Sequence, residues 1–296
     1  MSAPGATVAF VGLGSMGLPM ARHMASAGFA VRGHDLRAEP RAALVAAGGS
    51  TGETPAAVAA GAEVLILMVV DAGQAEQVLF GQAALAGLAP TGIVVLMATC
   101  PPEAVAALAR RVEATGRGFV DAPVSGGRTG AEAGCLTVMA AADPAALNRV
   151  RPILDAFAER VVHVGRQPGQ AATVKAVNQL LCGVHIVAAA EALSLAERAG
   201  LDPATVLEIV VGSSAASWML RDRGPRMLEP DPQPTSAVDI FVKDLGIVLG
   251  AGREAKAALP LAALAHQLFL AASGSGAGGC DDSQVIRCYR MLGGRA

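Results

Sequence analysis

The chain has 296 residues, 53% of them hydrophobic and 16% charged, which predicts two domains of roughly 150 residues each and enough buried surface to fold without staples. Its 23 basic and 25 acidic residues leave a net charge of −2 and are mixed along the chain, which excludes the basic footprint of a nucleic-acid-binding protein. No run of about 18 uninterrupted apolar residues reads as a membrane span, the opening MSAPGATVAFVGLG has no signal-peptide pattern, and Cys100, Cys135, Cys182, Cys280 and Cys288 form no CxxC pair and read as reduced thiols of a cytoplasmic protein.

In chain order, the first half alternates two signals. Short valine- and isoleucine-rich runs at 7–13, 30–35, 64–70, 92–98, 118–124, 136–141 and 161–165 read as strands. Ala-rich segments with helical spacing, such as LPMARHMASAG at 18–28 and PPEAVAALARRVEATG at 101–116, lie between them. Strands alternating with helices predict an α/β domain with a doubly wound parallel sheet, and strands apolar throughout predict burial on both faces. After about residue 168 the strand signal stops. One helical pattern runs from 169 to 199 and ends at Gly200; Asp202 then caps another helix with Pro203 in its first turn. The rest is helical, interrupted by EPDPQPTSA at 229–237. The expected domains are 1–167, the doubly wound α/β domain, and 168–296, an all-helical domain.

The first strand leads into Gly12, Gly14 and Gly17, with Leu13, Ser15 and Met16 between them, and a helix follows. In that context GxGxxG reads as a pyrophosphate loop: a tight turn, a close backbone approach, and a helix packed on its strand with its amides facing the phosphates. Asp35, 18 residues beyond Gly17 at the end of the second strand, can accept hydrogen bonds from ribose hydroxyls and repel a 2′-phosphate, which favours NAD over NADP. Arg37 could bend towards such a phosphate. His34 and Arg32 read as ordinary surface residues.

The loop FVGLGSMGLPMARHM resembles the signature of the β-hydroxyacid dehydrogenases, the 3-hydroxyisobutyrate dehydrogenase family. DAPVSGG at 121–127, TVKAVNQ at 173–179 and FVKDLG at 241–246 match further blocks in the family's order, so the resemblance spans nearly the whole chain. It implies a Rossmann domain, a helical domain contributing to the substrate site, homodimers or homotetramers built through the helical half, and oxidation of a small hydroxy acid with NAD. GHDLR, LILMVVDAGQAEQVLFG, SSAASWMLRDR and SAVDIFVKDLGIVL are most like members that oxidise four-carbon sugar acids at C2. Oxidation of 3-hydroxyisobutyrate and NADP-linked reduction of 2-hydroxy-3-oxopropionate stand as alternatives. A non-catalytic dinucleotide-binding protein is the alternative from another class.

Alcohol oxidation needs a hydride acceptor, a group that takes the hydroxyl proton, and donors for the substrate carboxylate. By the resemblance Lys175 is the general acid/base. Asn178 and Gln179, three and four residues on, share its side of a helix and can orient it or bind substrate; the family often has asparagine at the position of Gln179. His185 either reads a substrate hydroxyl or packs. Ser125, Gly126 and Gly127 offer a hydroxyl and amides to a carboxylate, and Arg128 reads as solvated. Thr99 matches the family's nicotinamide-side residue, with Ala98 where serine is common. The backbone at Val69 and Val70 covers the cofactor ribose in the family, and Lys243 reaches its nicotinamide half, with Asp244 pairing with it or anchoring the helix. Trp218 is expected to pack, Arg221 and Arg223 to be solvated, and Asp281 and Asp282 to cap the last helix; no metal site is read. Val174, Val177, Leu181 and Val184 are expected to face inward, while Lys175, Asn178, Gln179 and His185 line a cleft between the domains.

Overall fold

The predicted strand runs become the centre of one sheet. The structure, a computed structural model, describes residues 6–292; residues 1–5 and 293–296, the ends of the two expected domains, lie outside them. Strands β1 (Thr7–Val11), β2 (Ala30–His34), β3 (Ser50–Thr51), β4 (Val64–Leu67), β5 (Ile93–Leu96) and β6 (Gly118–Asp121) stand in the order 3-2-1-4-5-6, all parallel. Successive side chains point to opposite faces, so Val8 and Phe10 enter one buried cluster and Ala9 and Val11 the other. Helices cover both faces: α1 (Gly17–Ser26), α2 (Ala38–Ala46), α3 (Pro55–Ala59), α4 (Ala72–Glu76), α5 (Ala84–Gly87), α6 (Pro102–Glu113), α7 (Gly127–Ala133) and α8 (Pro144–Leu154). This is the doubly wound Rossmann order.

The far edge departs from the expected parallel sheet. The run 118–124 splits into β6 and a short β7 (Val124–Ser125), and β8 (Leu136–Ala141) pairs antiparallel with both. A parallel return needs a crossover of about a dozen residues or more, and the segment between Ser125 and Leu136 is too short for one. β9 (Ala158–Gly165) follows α8 with room for a crossover and pairs parallel with β8. The two-residue β3 carries no apolar run and was not legible.

The chain divides into two compact units, one ending at Lys175 and the other beginning at Ala176. Helix α9 (Gln170–Arg198) starts in the first and continues into the second, and Gly200, with φ +77°, ends it. The second unit adds α10 (Pro203–Val211), α11 (Trp218–Leu228), α12 (Val238–Glu254), α13 (Pro260–Ala272) and α14 (Ile286–Leu292). As expected, Asp202 caps α10, accepting from the amides of Ala204 and Thr205. Ile186, Ala190 and Leu193 of α9 are buried with Phe241, Leu245 and Phe269, and the rings of Phe241 and Phe269 stack at 5.0 Å. By length and hydropathy alone α9 could cross a membrane, but half of its most apolar window is buried inside the protein.

Three side chains differ from expectation here. Arg223 is buried rather than solvated and donates twice to Asp282, at 2.8 Å each. Asp281 accepts from the Ser283 amide and so caps the short 3-10 turn Asp282–Val285, not the last helix. Trp218 does not pack away: it is 52% exposed, because it opens α11 directly after its cap Ser217.

Candidate active site

The sheet order changes direction at β1: β2 lies on one side of it and β4 on the other, and in doubly wound sheets ligands bind beyond the carboxyl ends of the strands at such a point. The chain leaves parallel strands β1, β2, β4 and β5 at that edge, which brings Gly12 to Met16, Asp35, Val69, Val70 and Thr99 along one rim.

Steric fit explains two of the three glycines. Gly12 has φ +97°, and a methyl on it would stand 2.3 Å from the Met68 carbonyl oxygen; on Gly17 it would stand 1.9 Å from the Gly12 carbonyl oxygen. Gly14 has nothing within 4 Å of that position, so the loop is open where a pyrophosphate has to approach. The N-cap residue of α1, Met16, makes no side-chain cap hydrogen bond, which suits the helix N-terminus to an anion, and Ser15 is exposed beside it. Leu13 has a structural part as well. Its side chain fills the core and its amide donates to Asp35 Oδ2 at 2.9 Å, tying the loop to the end of β2.

Asp35 also accepts from the Arg37 amide and Nε, at 3.0 and 3.1 Å. Burial raises its pKa, but the Arg37 and Leu13 hydrogen bonds outweigh this and hold the carboxyl below its ordinary value. Arg37 is therefore turned onto Asp35. His34 is not a surface residue: it is buried, with Nδ1 3.0 Å from the Gly52 carbonyl. Val70 donates its amide to Gln74 Oε1 at 3.0 Å. These features fit a dinucleotide.

In the expected carboxylate loop, Ser125 ends β7, and Gly126 and Gly127 both have positive φ, at +127° and +61°, a backbone that glycine adopts without strain. Gly127 also has open space where a side chain would be. Arg128 pairs with Glu132 at 2.7 Å, one turn on. The first residue of the same block does more than sequence reasoning gave it. Asp121, at the end of β6 and 1% exposed, accepts through Oδ2 from the amides of Gly169 and Ala172 at 2.8 and 3.0 Å. It thus pins the first turn of α9, one turn before Lys175, to the sheet. Burial pushes this carboxyl up to about 6, with the amides of Ala172, Gly169 and Ala171 pulling the other way. An acid closing the apolar strand GFVD was the signal.

Lys175 itself is buried, at 8% exposure. Along the next turns of α9 Val184 packs partly buried against the core as expected, but the other three apolar residues expected inside face out. Val174, Val177 and Leu181 are 38%, 58% and 49% exposed, whereas Gln179 is buried. A helix apolar nearly all round offers no pattern to choose a face; the buried polar chain chooses it. Gln179 Nε2 donates to Asp244 Oδ2 at 2.5 Å, and Gln179 Oε1 accepts from Asn178 Nδ2 at 2.9 Å. Asn178 Nδ2 also donates to Cys182 Sγ at 3.4 Å. Asp244, 2% exposed, pairs through Oδ1 with Lys243 Nζ at 2.8 Å. Gly183 makes this possible: a methyl there would come within 2.9 Å of Leu245, so α9 and α12 approach closely beside the Gln179–Asp244 bond. His185 is half-buried and takes no part in these bonds.

The chain also resembles known proteins. Residues 7–165 match the NAD binding domain of 6-phosphogluconate dehydrogenase, and residues 169–289 match the NAD-binding domain of NADP-dependent 3-hydroxyisobutyrate dehydrogenase. L-Threonate dehydrogenase of Cupriavidus necator is 43% identical over 95% of both chains. 2-(Hydroxymethyl)glutarate dehydrogenase of Eubacterium barkeri is 35% identical over 97% of this chain and 96% of its own. The crystal structure of 3-hydroxyisobutyrate dehydrogenase from Salmonella typhimurium superposes with a TM-score of 0.91 at 40% identity, covering 95% of this chain and 98% of that one.

Proposed function

The chain belongs to the 3-hydroxyisobutyrate dehydrogenase family of NAD(P)-dependent hydroxyacid oxidoreductases, and from that premise we propose that it oxidises L-threonate at C2 to the 2-oxo acid, with NAD as acceptor and Lys175 as the acid/base. The observation that carries this reading is the buried Lys175, held one turn beyond the α9 start that Asp121 fixes. The L-threonate dehydrogenases that share 38–43% of their residues with this chain over almost its whole length support the substrate.

In this reading Ser125 and the amides around Gly126 and Gly127 hold the substrate carboxylate. The neutral Lys175 amine accepts the C2 hydroxyl proton and passes it to solvent after turnover. Bound nicotinamide supplies the hydride acceptor. Lys243, ion-paired with Asp244, contributes to cofactor binding in this reading. Asp35 supports NAD: an anion on the rim repels a 2′-phosphate, and Arg37 is already paired with it. Kinetics across C3 to C5 hydroxy acids with both cofactors test the reading. L-Threonate is expected to give the highest kcat/KM, and NAD to be preferred on the order of tenfold, as about 1.4 kcal/mol of repulsion would produce. Faster reduction of 2-hydroxy-3-oxopropionate with NADPH would replace it with the reductase reading, and no turnover anywhere with the non-catalytic one.

Assembly is part of the proposal. Val174, Val177, Leu181, Ala188 and Leu195 lie exposed at spacings of three, four and seven along α9, an apolar strip suited to a second copy of the chain. A homodimer or homotetramer is expected by light scattering, with Leu181→Glu shifting it towards monomer; an unchanged mass would remove this strip from the interface. A cytoplasmic location, supported by five cysteines that form no disulfide, completes the reading.

A further inference from the structure

The polar chain in the helical unit has a direction. We propose that Asp244 is a positioning residue, which fixes the orientation of two side-chain amides so that Asn178 presents its oxygen, and not its NH2, along the side of α9 that carries Lys175. The proposal rests on the reading of Lys175 as the acid/base.

The argument is one of donors and acceptors. A carboxylate paired with Lys243 can only accept, so Gln179 must give it the NH2 end. The Gln179 oxygen then lies at the other end, where it requires a donor, and Asn178 must supply Nδ2. The second Nδ2 proton goes to Cys182 Sγ. Both Asn178 donor positions are thus committed, and all Asn178 can offer another group is the acceptor Oδ1. An amide alone can turn over at little cost, because its two ends are nearly the same size. Here the turn is blocked at a charge, two residues away from the atom whose identity matters.

An acceptor is what a lysine one turn earlier needs. An amine that donates one N–H to Oδ1 has its lone pair aimed elsewhere, free to take a hydroxyl proton. The ammonium formed by that transfer is stabilised by the same oxygen. A reversed Asn178 would place N–H against N–H and oppose the transfer. The same parity accounts for glutamine serving where the family often has asparagine: the position works as a relay of polarity, and the longer side chain reaches Asp244.

Asp244→Asn removes the constraint, since its own amide can turn either way. The variant is expected to lose about 10- to 100-fold in kcat, the range of one charge-assisted hydrogen bond. Because Lys243 loses its ion-pair partner in this variant, NAD affinity is titrated on the free enzyme and kcat is read at saturating NAD; weaker NAD binding with an unchanged kcat would overturn the proposal. The acid limb of the kcat–pH profile should move to lower pH, as the ammonium loses its acceptor. Asp244→Asn/Gln179→Glu should recover most of the loss, because the carboxylate moved to position 179 accepts both from the new amide on α12 and from Asn178, which restores the direction. A purely structural role predicts a lower melting temperature without a displaced pH limb. If the single variant does not fold, the double variant carries the test alone: wild-type-like kcat and pH profile support the proposal, and a folded double variant with low kcat overturns it. Lys175→Ala is run in parallel. If it is inactive while Asp244→Asn matches wild type in kcat and pH profile, the proposal fails and the acid/base reading stands. If Lys175→Ala is active, the acid/base reading itself fails.

Discussion

Lys175→Ala is expected to lower kcat by about 10²- to 10⁴-fold, the span that a positioned acid/base contributes, while leaving NAD affinity nearly unchanged. The separation follows from where the parts lie. Gly12, Gly14, Gly17 and Asp35 belong to the loops after β1 and β2, and Lys175 to the second turn of α9. Lys175→Arg makes the stricter test. It restores the charge but not a base, because guanidinium stays protonated at any working pH. An arginine variant as inactive as the alanine one identifies Lys175 as a proton acceptor. A variant with near-normal turnover would mean that the residue acts through its charge, and the acid/base reading would fall. Isothermal titration with NAD and steady-state kinetics on the best substrate of the panel measure both quantities.

Much of this was legible in the sequence because two periodicities are strong. Strands β1, β4 and β5 are buried on both faces and therefore read as unbroken apolar runs, and glycine at 12 and 17 has steric reasons that the sheet then displays. What was not legible depends on contacts between distant segments. Whether the block after Asp121 continues the parallel sheet is decided by the length of the return to β8, not by the residues of the strand. The buried face of α9 could not be read from apolar spacing, since valine and leucine occur all round it; Gln179 is inside because Asp244 meets it from 65 residues away. Likewise Arg223 looks solvated in SWMLRDR until Asp282 is placed beside it. Long polar side chains take their burial from partners, and partners are a property of the fold.

That last pair leads to the largest stability effect. Arg223→Met is expected to destabilise the helical unit by about 3–5 kcal/mol, the cost of leaving a buried charge without its partner. The arginine forks onto both oxygens of Asp282, which is fully buried, and also pairs with Asp222. Arg226 links Asp222 and Asp281 at 2.6 and 3.3 Å, and Asp281 accepts from the Thr235 amide at 2.9 Å. One cluster thus clamps α11, the end of the proline-rich loop and the turn before α14. Burial pushes Asp282 above the ordinary carboxylate range, with Arg223 pulling it down. Without Arg223 that downward pull is gone, and protonation becomes the way to relieve the buried charge. A raised folded-state pKa gives stability that is present in acid and lost as pH rises. The variant should therefore be closest to wild type near the acid end of its folding range and furthest from it above neutrality. Arg223→Met/Asp282→Leu removes both charges and should recover much of the loss, since apolar replacements of a buried pair are often neutral. Urea denaturation followed by far-UV circular dichroism at acidic and alkaline pH measures all of these. A single variant within about 0.5 kcal/mol of wild type at both pH values, a margin typical of surface substitutions, would show that the cluster is no clamp.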